Sequence, residues 1–74
     1  MNVPITKDDH YEGWDKIPDH EPVFVLRAQD LCAGVTVRAW ANLAKSLGAP
    51  KEKVEGAFAI AEAMERHQNR KVPD

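Results

Sequence analysis

Three cationic side chains have the type and spacing to bind a small anion. Arg38 and Lys45 are seven residues apart, which places them on one face of a helix, and Arg27 precedes the start of that helix. Guanidinium groups hold phosphate or carboxylate through paired hydrogen bonds, and a helix N-terminus also attracts anions. Asp30 could instead neutralise Arg27 or Arg38 in an internal ion pair. The sequence therefore leaves open an anion site at Arg27, Arg38 and Lys45 or ion pairing within the chain.

Catalytic and metal chemistry have weaker support. The histidines are scattered along the chain: His10, His20 and His67. The candidate nucleophiles are Tyr11, Cys32, Thr36 and Ser46, and no spacing links them to a histidine. The four glycines are isolated, so they form no phosphate-binding loop. We expect a protein that is not an enzyme and that has no metal site and no cofactor.

A possible DNA-binding motif lies in residues 42–58. Alanine at 44, glycine at 48 and valine at 54 make this stretch similar to the helix-turn-helix of bacterial repressors. The start of its second helix carries charges of both signs: Lys51, Glu52, Lys53 and Glu55. A recognition helix favours Arg, Lys, Asn or Gln there, and acidic groups repel phosphate. A small helix-turn-helix regulator is therefore the alternative hypothesis.

Size and charge limit the remaining classes. A chain of 74 residues holds one domain with a thin core, and such domains add disulfides, a metal or a partner chain. Cys32 is the only cysteine, which favours a reducing compartment and a small buried side chain. No stretch has the length and hydropathy of a membrane span, so we expect a soluble protein of the cytoplasm. Oligomerisation is the remaining source of buried surface.

The amino-terminal part of the chain is acidic. Residues 1–20 contain two lysines and five acidic residues, a net charge of −3 that leaves +1 for the rest of the total of −2. This balance gives no general attraction to nucleic acid. Three prolines and the absence of periodicity predict an extended arm over residues 1–22, in which Tyr11 and Trp14 are candidate anchors.

The apolar run after the arm predicts a strand over residues 23–27. Pro22 precedes it, and its β-branched and aromatic residues are typical of a buried strand. A lone strand leaves its backbone groups without partners. Within the chain the short stretch from Val3 to Thr6 is a candidate partner, and outside it we expect the same segment of a second copy. The predicted contact residues are Val23, Phe24, Val25 and Leu26.

Two helices follow. Asp30 has the chemistry of an N-cap before a helix over residues 31–47, whose first turn Gly34 should weaken. The predicted buried stripe of this helix is Ala33, Val37, Trp40, Ala41, Ala44 and Leu47. Gly48 and Pro50 indicate a tight turn into a second helix over residues 50–69.

The second helix is rich in alanine on two faces. One face carries the predicted buried stripe: Val54, Ala57, Phe58, Ala61 and Met64. Ala59, Ile60 and Ala63 lie off that stripe. We therefore expect these three residues to contact the arm or to complete the oligomer interface.

Three short stretches carry a family resemblance: EPVFVLRAQD at residues 21–30, VRAWA at 37–41 and RKVPD at 70–74. Together they make the chain similar to small uncharacterised proteins encoded by bacteriophages and prophages. The resemblance implies a setting in the bacterial host cytoplasm, where phage accessory proteins inhibit host defence, sequester nucleotide signals or regulate genes.

The combined prediction is a mostly α-helical protein. It consists of an extended acidic arm over residues 1–22 and a domain over residues 23–74, with one short strand and an antiparallel two-helix hairpin completed by oligomerisation. We expect a non-catalytic binding protein that inhibits a host protein or captures a small anionic ligand, including nucleotides.

Overall fold

The fold is a helical hairpin, seen in a computed structural model that describes residues 14–73. A short 3-10 helix, Trp14–Lys16, precedes α1, Ala33–Ser46, and α2, Lys51–Arg66. The first turn of α1 packs against the last turns of α2, so the two helices run antiparallel. The mostly α-helical prediction is confirmed. Tyr11 and the side chain of Trp14 lie outside the described residues, and the short 3-10 helix replaces part of the predicted extended arm.

Local signals determine both ends of α1. The carboxylate Oδ1 of Asp30 accepts a hydrogen bond from the amide of Cys32 at 2.7 Å, and its carbonyl accepts from the amide of Ala33 at 3.0 Å. Asp30 therefore stabilises the turn before the helix, but it is not the predicted N-cap: α1 begins at Ala33, two residues later than predicted, and its N-cap is Cys32, which makes no side-chain capping hydrogen bond. At the other end, Gly48 has a φ of 86°, and the amide of Ala49 reaches back to the carbonyl of Ala44. This is the left-handed glycine termination that the sequence predicted.

α2 ends at Arg66, three residues before the predicted end. His67 has an extended ψ of 132°, and Asn69 adopts a left-handed φ of 65°, so the chain turns away from the helix axis. The amide of Lys71 then donates to the carbonyl of Gln29 at 2.7 Å. A tertiary backbone contact has replaced the last predicted turn of the helix.

The strand predicted over residues 23–27 is wrong for the single chain. These residues form neither helix nor strand, and the described residues contain no sheet. The one backbone bridge between distant segments of residues 14–73 joins Asp30 and Lys71 in parallel. Because that returning segment pairs with residues 29–31, it offers no partner to the apolar run before them.

The core consists of small residues. Ala33, Ala41 and Ala61 have no exposed surface, and Val54 is buried as well. The predicted stripe of α2 is confirmed, since all its members are buried or half-buried. On α1, however, Trp40 and Leu47 are exposed rather than buried. Small side chains let the two helix backbones approach closely, and the bulky residues beside them are left outside.

Candidate protein-binding surface

Arg38 is already occupied by a carboxylate of the same chain. Its Nε donates to Oε2 of Glu65 at 3.1 Å, and its Nη2 donates to Oε1 at 2.5 Å. The guanidinium also lies 6.0 Å from the ring centroid of Phe58. The internal ion pair predicted as an alternative exists, but its acid is Glu65 of α2 rather than Asp30. Asp30 uses its carboxylate in the turn before α1.

The pair changes the titration of both groups. The hydrogen bonds from Arg38 lower the pKa of Glu65, against the opposing effect of partial desolvation, and the positive charges of Arg38 and Arg70 lower it further. The hydrogen bond to Glu65 raises the pKa of Arg38 in turn. Arg38 stays protonated, so Glu65 alone makes the pair sensitive to pH.

Acid should weaken the contact between the helices. A carboxyl group whose folded pKa is depressed stabilises the protein above its unfolded value, here 4.5, and that contribution is lost as the pH falls through the folded pKa. We expect thermal unfolding between about pH 7 and pH 3 to show a loss of stability that is smaller in Glu65→Gln. Equal pH dependence in both proteins would contradict this role of Glu65.

The other two predicted cations lie apart from Arg38. Arg27 faces an open cavity of about 170 Å³, which has these lining residues: Val25, Arg27, Gln29, Asp30, Lys71 and Pro73. Lys45 is exposed in the last turn of α1. Neither Arg38 nor Lys45 lines that cavity. The structure therefore does not bring the three cations together in one site.

The remaining chemical candidates are dispersed. Within residues 14–73, no group of three potential metal ligands comes together, and His20 and His67 are exposed. Cys32 is exposed rather than buried, because it lies in the turn before α1 and not on the helix interface. No helix in the described part of the chain is long and apolar enough to cross a membrane.

The two helices pack against each other as an antiparallel hairpin. Gly34 touches Ala61 and Glu65 about three helical turns away from the connection, so the helices stay together over their length. The helices of a helix-turn-helix cross at roughly 90–120°. At the start of α2, Lys51 forms an ion pair with Glu55 at 3.7 Å, which offsets its charge.

One exposed apolar surface is the edge segment, residues 23–25. The exposed fractions are 51% for Val23, 86% for Phe24 and 71% for Val25. Within the described chain, residues 22–26 make no backbone hydrogen bond. Leu26 and the three residues Ala59, Ile60 and Ala63 of α2 are half-buried. The edge segment therefore combines exposed large side chains with backbone groups that have no hydrogen-bond partner in residues 14–73.

A second exposed apolar surface, which the sequence reasoning missed, lies on α1. This α1 outer face consists of Thr36, Trp40 and Leu43 of α1, together with Leu47, the residue directly after its last turn. The predicted buried stripe of the first helix included Trp40 and Leu47. The signal was present in the spacing of four, three and four residues, which is that of a separate helix seam.

Comparisons with known proteins assign no relative. The chain matches no family model, and neither curated proteins nor solved structures show a significant similarity to it. The two exposed apolar surfaces are therefore the features from which a function can be inferred.

Proposed function

We propose that the chain is a non-catalytic binding protein that works as an oligomer and binds another protein through its edge segment. The observation that carries this proposal is the exposure of Val23, Phe24 and Val25 beside backbone groups that have no hydrogen-bond partner within the described chain. Large apolar side chains left uncovered in this way mark protein interaction sites.

Backbone pairing with an extended segment of the partner suits these residues, and we call it strand addition although residues 14–73 contain no sheet. An incoming strand supplies hydrogen bonds to the free amides and carbonyls, and it covers alternate side chains. Val23, Phe24 and Val25 are residues that favour extended backbone. Burial of each contributes about 1.5–3 kcal/mol, so the three together offset part of an association cost of about 4–15 kcal/mol.

Two other classes have less support. A small-anion site would lack its second arginine, because the guanidinium of Arg38 is hydrogen-bonded to Glu65. DNA reading by α2 is opposed by the hairpin geometry and by acidic residues in its first turns. The resemblance to phage accessory proteins suggests the partner, and we propose a host protein that this chain inhibits.

The test uses two substitutions at one position. Val25→Pro removes a backbone donor without breaking a hydrogen bond of the described chain, whereas Val25→Ala keeps the donor. Immobilised wild-type protein and both variants are exposed to bacterial lysate, and bound proteins are quantified by mass spectrometry. We expect Val25→Pro to lower retention of the partner about tenfold, and Val25→Ala to lower it much less.

Circular dichroism of both variants provides the control. Helix content should be unchanged, because the edge segment lies outside α1 and α2. Equal retention by Val25→Pro and the wild type would rule out strand addition. A lysate from which the wild type enriches no protein would count against the whole proposal.

A further inference from the structure

The α1 outer face has the pattern of a helix that packs against a second helix. Trp40 is 47% exposed, Leu43 60% and Leu47 77%. With Thr36 they recur at intervals of four, three and four residues, which keeps them in one line along α1. This line is separate from the buried face that carries Ala33 and Ala41. α1 therefore has two packing faces, and α2 covers one of them.

The exposed side of α1 is nearly free of charge. Lys45 is the one charged residue among its exposed positions, and Arg38 is half-buried against Glu65. Arg38 and Lys45 share one face of α1 because they are seven residues apart. Each lies two residues, or about 200° around the helix, from a member of the outer face, so both are on the opposite side. A helix face in contact with water normally carries charged residues. The α1 outer face does not.

α2 provides the contrast within the same chain. Its outer side carries ion pairs at the i, i+4 spacing, between Lys51 and Glu55 at 3.7 Å and between Glu62 and Arg66 at 3.6 Å. Such pairs are typical of a solvated helix. The scarcity of exposed charge is therefore specific to α1. It is not a general consequence of the small size of the chain, since α2 carries exposed charges.

We infer that the α1 outer face is the contact between two copies of this chain. Charged groups brought against this face would lose water without gaining an opposite charge, so a suitable partner is itself apolar and uncharged there. A second copy related by a two-fold axis presents such a face. The net charge of −2 per chain adds little repulsion between copies.

An antiparallel arrangement of the two α1 helices lets the side chains of their outer faces pack against each other. A two-fold axis between Trp40 and Leu43 places Trp40 against Leu43 of the partner subunit and Leu47 against Thr36 of the partner subunit. Each bulky side chain then meets a smaller one, and opposed helix directions align the dipoles favourably. The two hairpins form a four-helix bundle with α1 of each copy at its centre.

This inference rests on the oligomeric part of the proposed function and is independent of the partner protein. It assigns self-association to α1 instead of residues 23–26 and the face with Ala59, Ile60 and Ala63. The edge segment then stays available on each copy of the dimer.

The experiment measures mass by light scattering and sedimentation over a concentration series. Wild-type protein is expected at twice the chain mass of 8.3 kDa. Leu43→Lys and Leu47→Lys place charge on the outer face and are expected to raise the dissociation constant at least a hundredfold. Asn42→Lys adds the same charge to α1 outside that face and is expected to remain dimeric.

Four results of this experiment bear on the α1 interface. A wild-type mass of 8.3 kDa at every concentration would overturn this inference and the oligomer of the proposed function together. Dimers in both Leu43→Lys and Leu47→Lys would overturn the α1 face alone, and so would equal weakening by Asn42→Lys. If Leu43→Lys loses helix content, Leu47→Lys at the exposed end of α1 decides, since its side chain packs least in the single chain.

Discussion

Gly34→Ala is expected to destabilise the protein by about 1–2 kcal/mol, although alanine favours helices more than glycine does. A Cβ at this position would lie 2.5 Å from Cγ of Glu65, 3.2 Å from the carbonyl oxygen of Ala61 and 3.3 Å from the backbone nitrogen of Glu65. The side chain of Glu65 can move only by disturbing its pair with Arg38, and the backbone contacts require a shift of α2. Thermal unfolding should therefore show a melting temperature lower by about 5–15 °C.

Gly56 provides the matched control for this substitution. It lies in α2, and apart from its chain neighbours and the adjacent backbone of α2, no atom of the described chain would come within 4 Å of an added Cβ. Gly56→Ala should therefore stabilise the protein by up to about 1 kcal/mol through helix propensity alone. Effects of the same sign at both positions would show that close packing at Gly34 does not hold the helices together.

Ala41→Leu is expected to have a larger effect, a loss of about 2–3 kcal/mol. Ala41 has no exposed surface, and the buried residues of α2, Val54 and Ala61, are small. The added volume must push the helices apart or force a strained rotamer. A chain of this length is expected to have roughly 4–11 kcal/mol of stability in total, so the loss should be evident in urea and thermal unfolding.

Ala39→Leu tests whether position, and not leucine itself, causes the loss. Ala39 is exposed two residues earlier on the same helix, so the same substitution should change the stability by less than about 0.5 kcal/mol. Measurements at low protein concentration keep association out of the comparison. A small change in the free energy of unfolding for Ala41→Leu would mean that the space between α1 and α2 can accommodate the larger side chain.

Features that depend on neighbouring residues could be predicted from the sequence. Asp30 accepts from an amide two residues later, and Gly48 takes the left-handed conformation that ends α1. The carboxylate of Asp30 and the missing side chain of Gly48 each affect only the backbone within about five residues. The residue type predicts the local hydrogen bond or turn, but it did not give the first residue of α1, which is Ala33 with Cys32 as its N-cap.

Features that depend on the register between the helices could not be predicted. Arg38 and Glu65 are 27 residues apart, and only the hairpin brings them together. The choice between the two apolar faces of α1 has the same origin. Periodicity places Trp40 and Leu47 on an apolar face of a helix. It does not say which apolar face packs against α2, and the face with alanine and glycine does so because small residues let the backbones approach closely.

The apolar run at residues 23–27 shows a third limit. Its composition predicted a strand, yet strand formation requires a partner at hydrogen-bonding distance. The returning segment at Lys71 bonds to Gln29 and Leu31 instead. Pairing between distant segments is decided by the whole chain, so composition alone could not locate it.

The residues buried between the two helices are small, and the most exposed large apolar side chains lie elsewhere. The buried apolar residues of the described chain are three alanines and one valine, while the tryptophan of α1 and the phenylalanine of the edge segment point outward. Their replacement therefore removes little of what joins the helices. Under the proposed binding function, exchange of the outward residues would change the binding partner and leave the buried alanines between the helices unchanged.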